Sequence, residues 1–131
     1  MDMILGFKNK QAALYKEELH QWDKVQNLIA TLDEADDDAF YHQGLVTQHL
    51  DSLDFSDIDA IQAIVVGPPI MIKFTVQGRL AKGLTKEQIW VDYERRMACA
   101  VGKCGHCRIG DKYVCVDGPV FRFDQAEDMI D

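Results

Sequence analysis

No stretch of this chain approaches the roughly 20 consecutive apolar residues that a membrane-spanning helix needs. Its start, Met1-Asp2-Met3, has neither a basic leader region nor a cleavable apolar stretch, so a cytoplasmic location is expected. Positive charge is scarce: 14 Lys and Arg stand against 22 Asp and Glu, a formal net charge of −8. A phosphate backbone is held by clustered cations, so this balance argues against nucleic-acid binding. No G-x-G-x-x-G follows a strand and opens a helix, and no other glycine-rich phosphate cradle appears. The four histidines, His20, His42, His49 and His106, share no local motif with a Ser or Cys nucleophile, which argues against hydrolase chemistry. There is no internal repeat and no low-complexity linker.

What is present suits an ordinary globular domain with a small appendage: 131 residues, 47% apolar and 27% charged. Two uses fit, a soluble enzyme part or a carrier that docks on a basic partner surface.

All four cysteines lie in the last third, in MACAVGKCGHCRIGDKYVC, with the spacing C-x4-C-x2-C-x7-C. Three chemistries compete for Cys99, Cys104, Cys107 and Cys115. A disulfide framework suits the even count, but a cytosolic chain keeps thiols reduced, and cysteines this close rarely staple a domain of this size. Structural zinc usually shows two short knuckles, whereas Cys115 here stands alone after seven residues. The spacing matches best the plant-type [2Fe–2S] pattern, in which three thiolates on one loop are joined by a fourth from another segment. Gly102 and Gly105 suit that loop, because residues without a Cβ let backbone approach the cluster and adopt positive φ. Successive loop N–H groups then point at sulfur and help set the potential, expected at about −400 mV or somewhat higher. Arg108 to Cys115 reads as a short hairpin turning at Gly110-Asp111. His106, between two ligands, reads as an exposed loop histidine rather than a proton relay. Lys103 and Arg108 offset the anionic cluster, with partner docking the weaker alternative.

The first ninety residues alternate apolar strands with helices. Met3 to Phe7 is a strand. Asn9 caps a helix carrying Ala12, Tyr15, Leu19 and Trp22 at spacings of three and four. Leu28 to Leu32 is a second strand, ending in the acidic loop Asp33 to Asp38. Leu45 to Leu53 is a second helix with Val46, Leu50 and Leu53 inward. Ile61 to Val66 is a third strand, Gly67-Pro68-Pro69 turns into a helix from Ile70 to Leu80, and Ile89 to Tyr93 is a fourth strand. Strands without polar alternation, separated by helices, imply a parallel sheet covered on both faces. The fold expected is α/β: a partial doubly wound parallel sheet over residues 1–93, then a small [2Fe–2S] loop and β-hairpin module over 94–131. Such sheets bind ligands at the carboxyl ends of their strands, here Gly6-Phe7-Lys8, Asp33-Glu34 and Gly67-Pro68-Pro69. Asp36-Asp37-Asp38 reads as a solvated loop, since three consecutive acids cannot all face one ion.

Together, GPPIMIKF at 67–74 and IWVDYERRMACAVGKCGHCRIGDKYVCVDGPVF at 89–121 resemble the C-terminal region of flavin and iron–sulfur electron-transfer subunits related to ferredoxin–NAD(P) reductase. That family includes the anaerobic sulfite reductase B subunit, the sulfhydrogenase gamma subunit and the dihydroorotate dehydrogenase electron-transfer subunit. The x7 gap and the C-G-H-C core favour the first two. The resemblance implies an order of FAD barrel, nicotinamide-binding domain and [2Fe–2S] module, with electrons passing from NAD(P)H through FAD and the cluster to a partner subunit. It implies that Cys99 and Cys104 hold one iron, and Cys107 and Cys115 the other. Gly67, Pro68 and Pro69 match the turn beside the nicotinamide, where the family usually has cysteine in place of Val66. Gly6 and Lys8 fall on the adenosine side of the cofactor.

Measured against that family, the FAD barrel, the first strand of the nicotinamide domain and its glycine-rich turn are missing. A parallel sheet without its middle strand leaves unpaired ladders, each buried unpaired group costing about 1–3 kcal/mol. The expectation is therefore a piece of a longer subunit, or a slot filled by another chain or a second copy. The function implied is an oxidoreductase electron-transfer module that draws single electrons from FAD on another domain or chain. FAD and NAD(P) belong to the whole architecture, and this chain alone is not expected to oxidise NAD(P)H. The rival reading is a non-catalytic assembly protein with a structural four-cysteine zinc site.

Overall fold

In the computed structural model, which describes residues 1–129, the first apolar run lies in strand β1 (Asp2–Phe7). Helix α1 (Lys16–Asp23) leads to β2 (Asn27–Leu32), and β3 (Tyr41–Gln43) follows the acidic loop. The three strands form one parallel sheet in the order β1-β2-β3. As the middle strand, β2 buries five consecutive residues, Leu28 to Leu32, which explains its lack of polar alternation. Leu19 of α1 is fully buried in a core with Ala13, Leu28, Ala30, Leu32 and Tyr41.

Two helices expected here take other forms. The segment after Asn9 breaks into a 3₁₀ turn (Lys10–Ala12) and α1, separated by extended Ala13 and left-handed Tyr15 (φ 54°). The break lets Ala13 enter the core while Leu14 and Tyr15 face solvent, so the apolar spacing was not all one inward face. Asn9 does cap, its Oδ1 accepting the Ala12 N–H at 2.9 Å. Val46–Ser52 forms 3₁₀ turns rather than an α-helix, with Leu50 buried. The Gln48 side chain holds the entry by accepting the Leu45 N–H at 2.8 Å.

These elements make up one compact unit, Met1–Phe55; the second is Ser56–Asp131. It begins with β4 (Ala63–Val66), then α2 (Pro69–Ala81) and β5 (Ile89–Asp92). A hairpin of β6 (Arg108–Ile109) and β7 (Lys112–Tyr113) precedes a single turn, α3 (Val114–Asp117). Strand β8 (Val120–Arg122) and the turn α4 (Phe123–Ala126) follow. The second sheet has the order β4-β5-β8, with β4 and β5 parallel and β8 antiparallel to β5.

The fold is α/β, with parallel sheets and a small antiparallel hairpin beside the cysteines. Cover on both faces holds for β2 but not for β4. There Val65 is buried, while Ile64 and Val66 are 71% and 56% exposed. The reason is position: β4 ends its sheet, and its neighbour on one side only is β5.

Candidate metal centre

The loop from Cys99 to Cys107 owes its shape to backbone of alternating hand. Ala100 (φ 58°), Gly102 (φ 74°) and Gly105 (φ 79°) all adopt the left-handed region. Such alternation turns successive N–H groups toward one point, a geometry suited to anions. Here that point is sulfur: the N–H groups of Val101, Lys103 and Cys104 donate to Cys99 Sγ at 3.5, 3.3 and 3.4 Å. Only glycine takes positive φ freely, so Gly102 and Gly105 were legible in the sequence. Ala100 was not, because nothing in an alanine announces that conformation.

Cys107 is buried, and its Sγ accepts the Cys115 N–H at 3.5 Å. The hairpin turns at Gly110 and Asp111 as expected, but Cys115 sits in α3 rather than on a returning strand. Asp117 fixes that turn, its Oδ2 accepting the Tyr113 N–H at 2.7 Å.

The thiols titrate accordingly. Backbone N–H groups of Val101, Cys104 and Lys103 hold Cys99 below the ordinary thiol range, and that of His106, then that of Cys99, does the same for Cys104. Burial pushes the Cys115 thiol up, as does the neighbouring Cys107 thiol, against a lowering N–H from Gly102. Cys99 and Cys104 influence each other, and Cys115 feels both Cys107 and Cys99.

Among the described residues, no three His, Cys, Asp or Glu side chains converge as they would around a single ion. Four thiols with N–H donors on sulfur are the donor set of an iron–sulfur centre. The four cysteines therefore fit an iron–sulfur group. His106 is exposed on the loop, as are Lys103 and Arg108.

The nicotinamide-side candidates fall in both units. Gly67 follows β4, Pro68 is extended (φ −60°, ψ 149°), and Pro69 opens α2, whose first-turn N–H groups are available to a ligand. Gly6 and Lys8 stand at the carboxyl end of β1 in the first unit. Gly6 has a packing reason of its own: a Cβ there would lie 2.5 Å from Val46 Cγ2. Sequence reading passed over Asp92 at the carboxyl end of β5. Its Oδ1 is buried without a hydrogen-bond partner, beside a cleft of about 280 Å³ lined by Asp92, Tyr93, Glu94, Arg95, Met97 and Pro119. No helix among the described residues is long and apolar enough to cross a membrane.

A parallel α/β fold joined to a four-cysteine loop on a hairpin defines the class of nicotinamide-linked oxidoreductases that carry iron–sulfur centres. Residues 1–77 match the family described as the oxidoreductase NAD-binding domain, and residues 94–127 match the iron–sulfur cluster binding domain of dihydroorotate dehydrogenase B. This chain belongs to that NAD-binding oxidoreductase family and carries the iron–sulfur binding domain behind it. It is 42% identical to the sulfhydrogenase 2 subunit gamma of Pyrococcus furiosus, over 64% of this chain and 30% of that one. It is 34% identical to the dihydroorotate dehydrogenase B (NAD(+)) electron transfer subunit of Streptococcus mutans, over 93% of this chain and 45% of that one. A solved chain from an NADH-dependent reduced ferredoxin-NADP oxidoreductase, studied for flavin-based electron bifurcation, superposes with a TM-score of 0.63 at 28% identity. That superposition covers 96% of this chain and 45% of the other. The chain thus spans less than half the length of these relatives.

Proposed function

We propose that this chain is the cluster-bearing part of an NAD(P)H-dependent flavin and iron–sulfur reductase. It hands single electrons from FAD, on another domain or chain, through a [2Fe–2S] centre to a partner redox subunit. The observation that carries this reading is the convergence of three N–H groups on Cys99 Sγ and of one on Cys107 Sγ. Bound at these cysteines, the cluster supplies storage of one electron. The chain's own part is to present the four thiolates from one loop and the turn that follows it. The N–H groups of Val101, Lys103 and Cys104 offset the charge that four thiolates bring together. No side chain is needed as acid, base or nucleophile.

The division proposed at 93/94 puts the nicotinamide-side elements before the cluster module. Gly67, Pro68 and Pro69 would face the nicotinamide, with Gly6 and Lys8 toward the adenosine. Two sheets that each end in a parallel strand paired on one side, β1 and β4, support completion by a strand from another chain or from more of the same polypeptide. Ile64, Val66, Ile70 and Phe74, large and exposed on β4 and the start of α2, support it further.

Chain reconstituted anaerobically with iron and sulfide should be red-brown and bleach with dithionite. A colourless chain that takes up zinc on all four thiols under the same conditions would overturn the reading. Without added flavoprotein it should not reduce an acceptor with NADH.

A further inference from the structure

The cysteine loop carries charge of the opposite sign from the rest of the molecule. Between residues 95 and 110 every ionised side chain is a cation, namely Arg95, Arg96, Lys103 and Arg108, leaving 10 basic and 22 acidic residues elsewhere. Arg96, Lys103 and Arg108 are exposed, and the Arg108 Nε–H is steadied by the Gly110 carbonyl at 2.7 Å. The nearest acid beyond the hairpin, Asp117, is engaged with the Tyr113 N–H. Neutralising a thiolate-bound cluster would by itself account for cations here. It does not account for two valines left in solvent at the same place. Val101 is 62% exposed and Val116 61%. Val116 lies against Gly102, the residue that follows Val101: a Cβ there would lie 2.9 Å from Val116 Cγ2. An apolar centre flanked by charge of one sign is the composition of an interface core with a steering rim.

Resting on the one-electron reading above, we infer that this face of the second unit is a docking surface for an acidic redox protein, seated on Val101 and Val116 and steered by Arg96, Lys103 and Arg108. The rest of the chain, with 22 acidic against 10 basic residues, disfavours the approach of such a partner elsewhere. One electron would pass per encounter from reduced cluster to oxidised partner.

The test uses cluster-loaded chain titrated anaerobically with flavodoxin, an acidic one-electron acceptor, and with cytochrome c, a basic one. Flavodoxin should bind with an affinity that falls steeply as salt rises. R96E/K103E should weaken that binding by about tenfold and flatten its salt dependence, without weakening cytochrome c. V101S/V116S should weaken flavodoxin severalfold and leave the salt slope unchanged. Affinities within about twofold of the parent in both variants, or equal losses for both acceptors, would overturn the proposal while leaving the cluster assignment intact. A chain that never acquires the cluster's visible spectrum fails the earlier reading, and the docking surface falls with it.

Discussion

The first unit and the cysteine segment are ordered by different atoms. In Met1–Phe55 the organising groups are side chains: five successive residues of β2 are buried, and Leu19 closes the core against them. Around Cys99 the organising groups are main-chain N–H donors, aimed by left-handed residues at a sulfur. The first arrangement tolerates exchanges of side chain that preserve apolar volume. The second tolerates changes of side chain that preserve φ. Substitutions should therefore hurt the two regions in different ways.

The largest effect belongs to the ligands. Changing Cys99, Cys104, Cys107 or Cys115 to Ser should abolish stable iron and sulfide uptake, read by metal analysis. Far-ultraviolet circular dichroism should still report the helices and strands of the first unit. Leu19→Ala, which empties a fully buried site, should cost about 2–5 kcal/mol in denaturant titrations yet leave the cluster's absorbance per iron unchanged. A matching loss of both signals would erase the distinction between the regions.

Gly102→Ala sharpens the comparison. It forces φ 74° on an L-residue and pushes a Cβ to 2.9 Å from Val116 Cγ2, so about 1–2 kcal/mol is expected, together with faster cluster loss in air. Gly105→Ala meets no atom within 4 Å and should show only the strain of its φ 79°. Asp92→Val runs the other way: removing a buried oxygen that lacks a partner should raise stability by about 1 kcal/mol, seen as a higher midpoint of thermal unfolding.

The smallest effect is titration of the pair Lys10 Nζ and Asp38 Oδ2, 3.0 Å apart. Lys10, then the Phe40 N–H, holds the Asp38 carboxyl below the usual range, so its contribution is present at neutral pH and fades as pH falls through that lowered value. Lys10→Ala should flatten the acid limb of the stability profile slightly, and added salt should do the same.

The parts of the fold legible in the sequence were those with a repeating cause. Strands β1, β2, β4 and β5 stood out as apolar runs, and Pro69 marked the start of α2 because proline suits a first helical position. The 3₁₀ turns at Lys10–Ala12 and Val46–Ser52 were read as α-helices, since both forms bring residues three apart onto one side. Strand β3 and strand β8, three residues each, are too short for a period to show. At the candidate site, spacing and glycine revealed the cysteines and two of the three left-handed positions. Ala100, the helical placement of Cys115 and the orphaned Asp92 oxygen depend on tertiary surroundings that no local pattern encodes.

A two-iron core shared by the four thiols has a distinct stoichiometry. Iron, zinc and acid-labile sulfide should be counted on anaerobically reconstituted chain, with electron paramagnetic resonance after dithionite. About two irons and two sulfides per chain are expected, with no stoichiometric zinc and a single paramagnetic centre on one-electron reduction. One zinc per chain with no sulfide, and no signal after reduction, would contradict it.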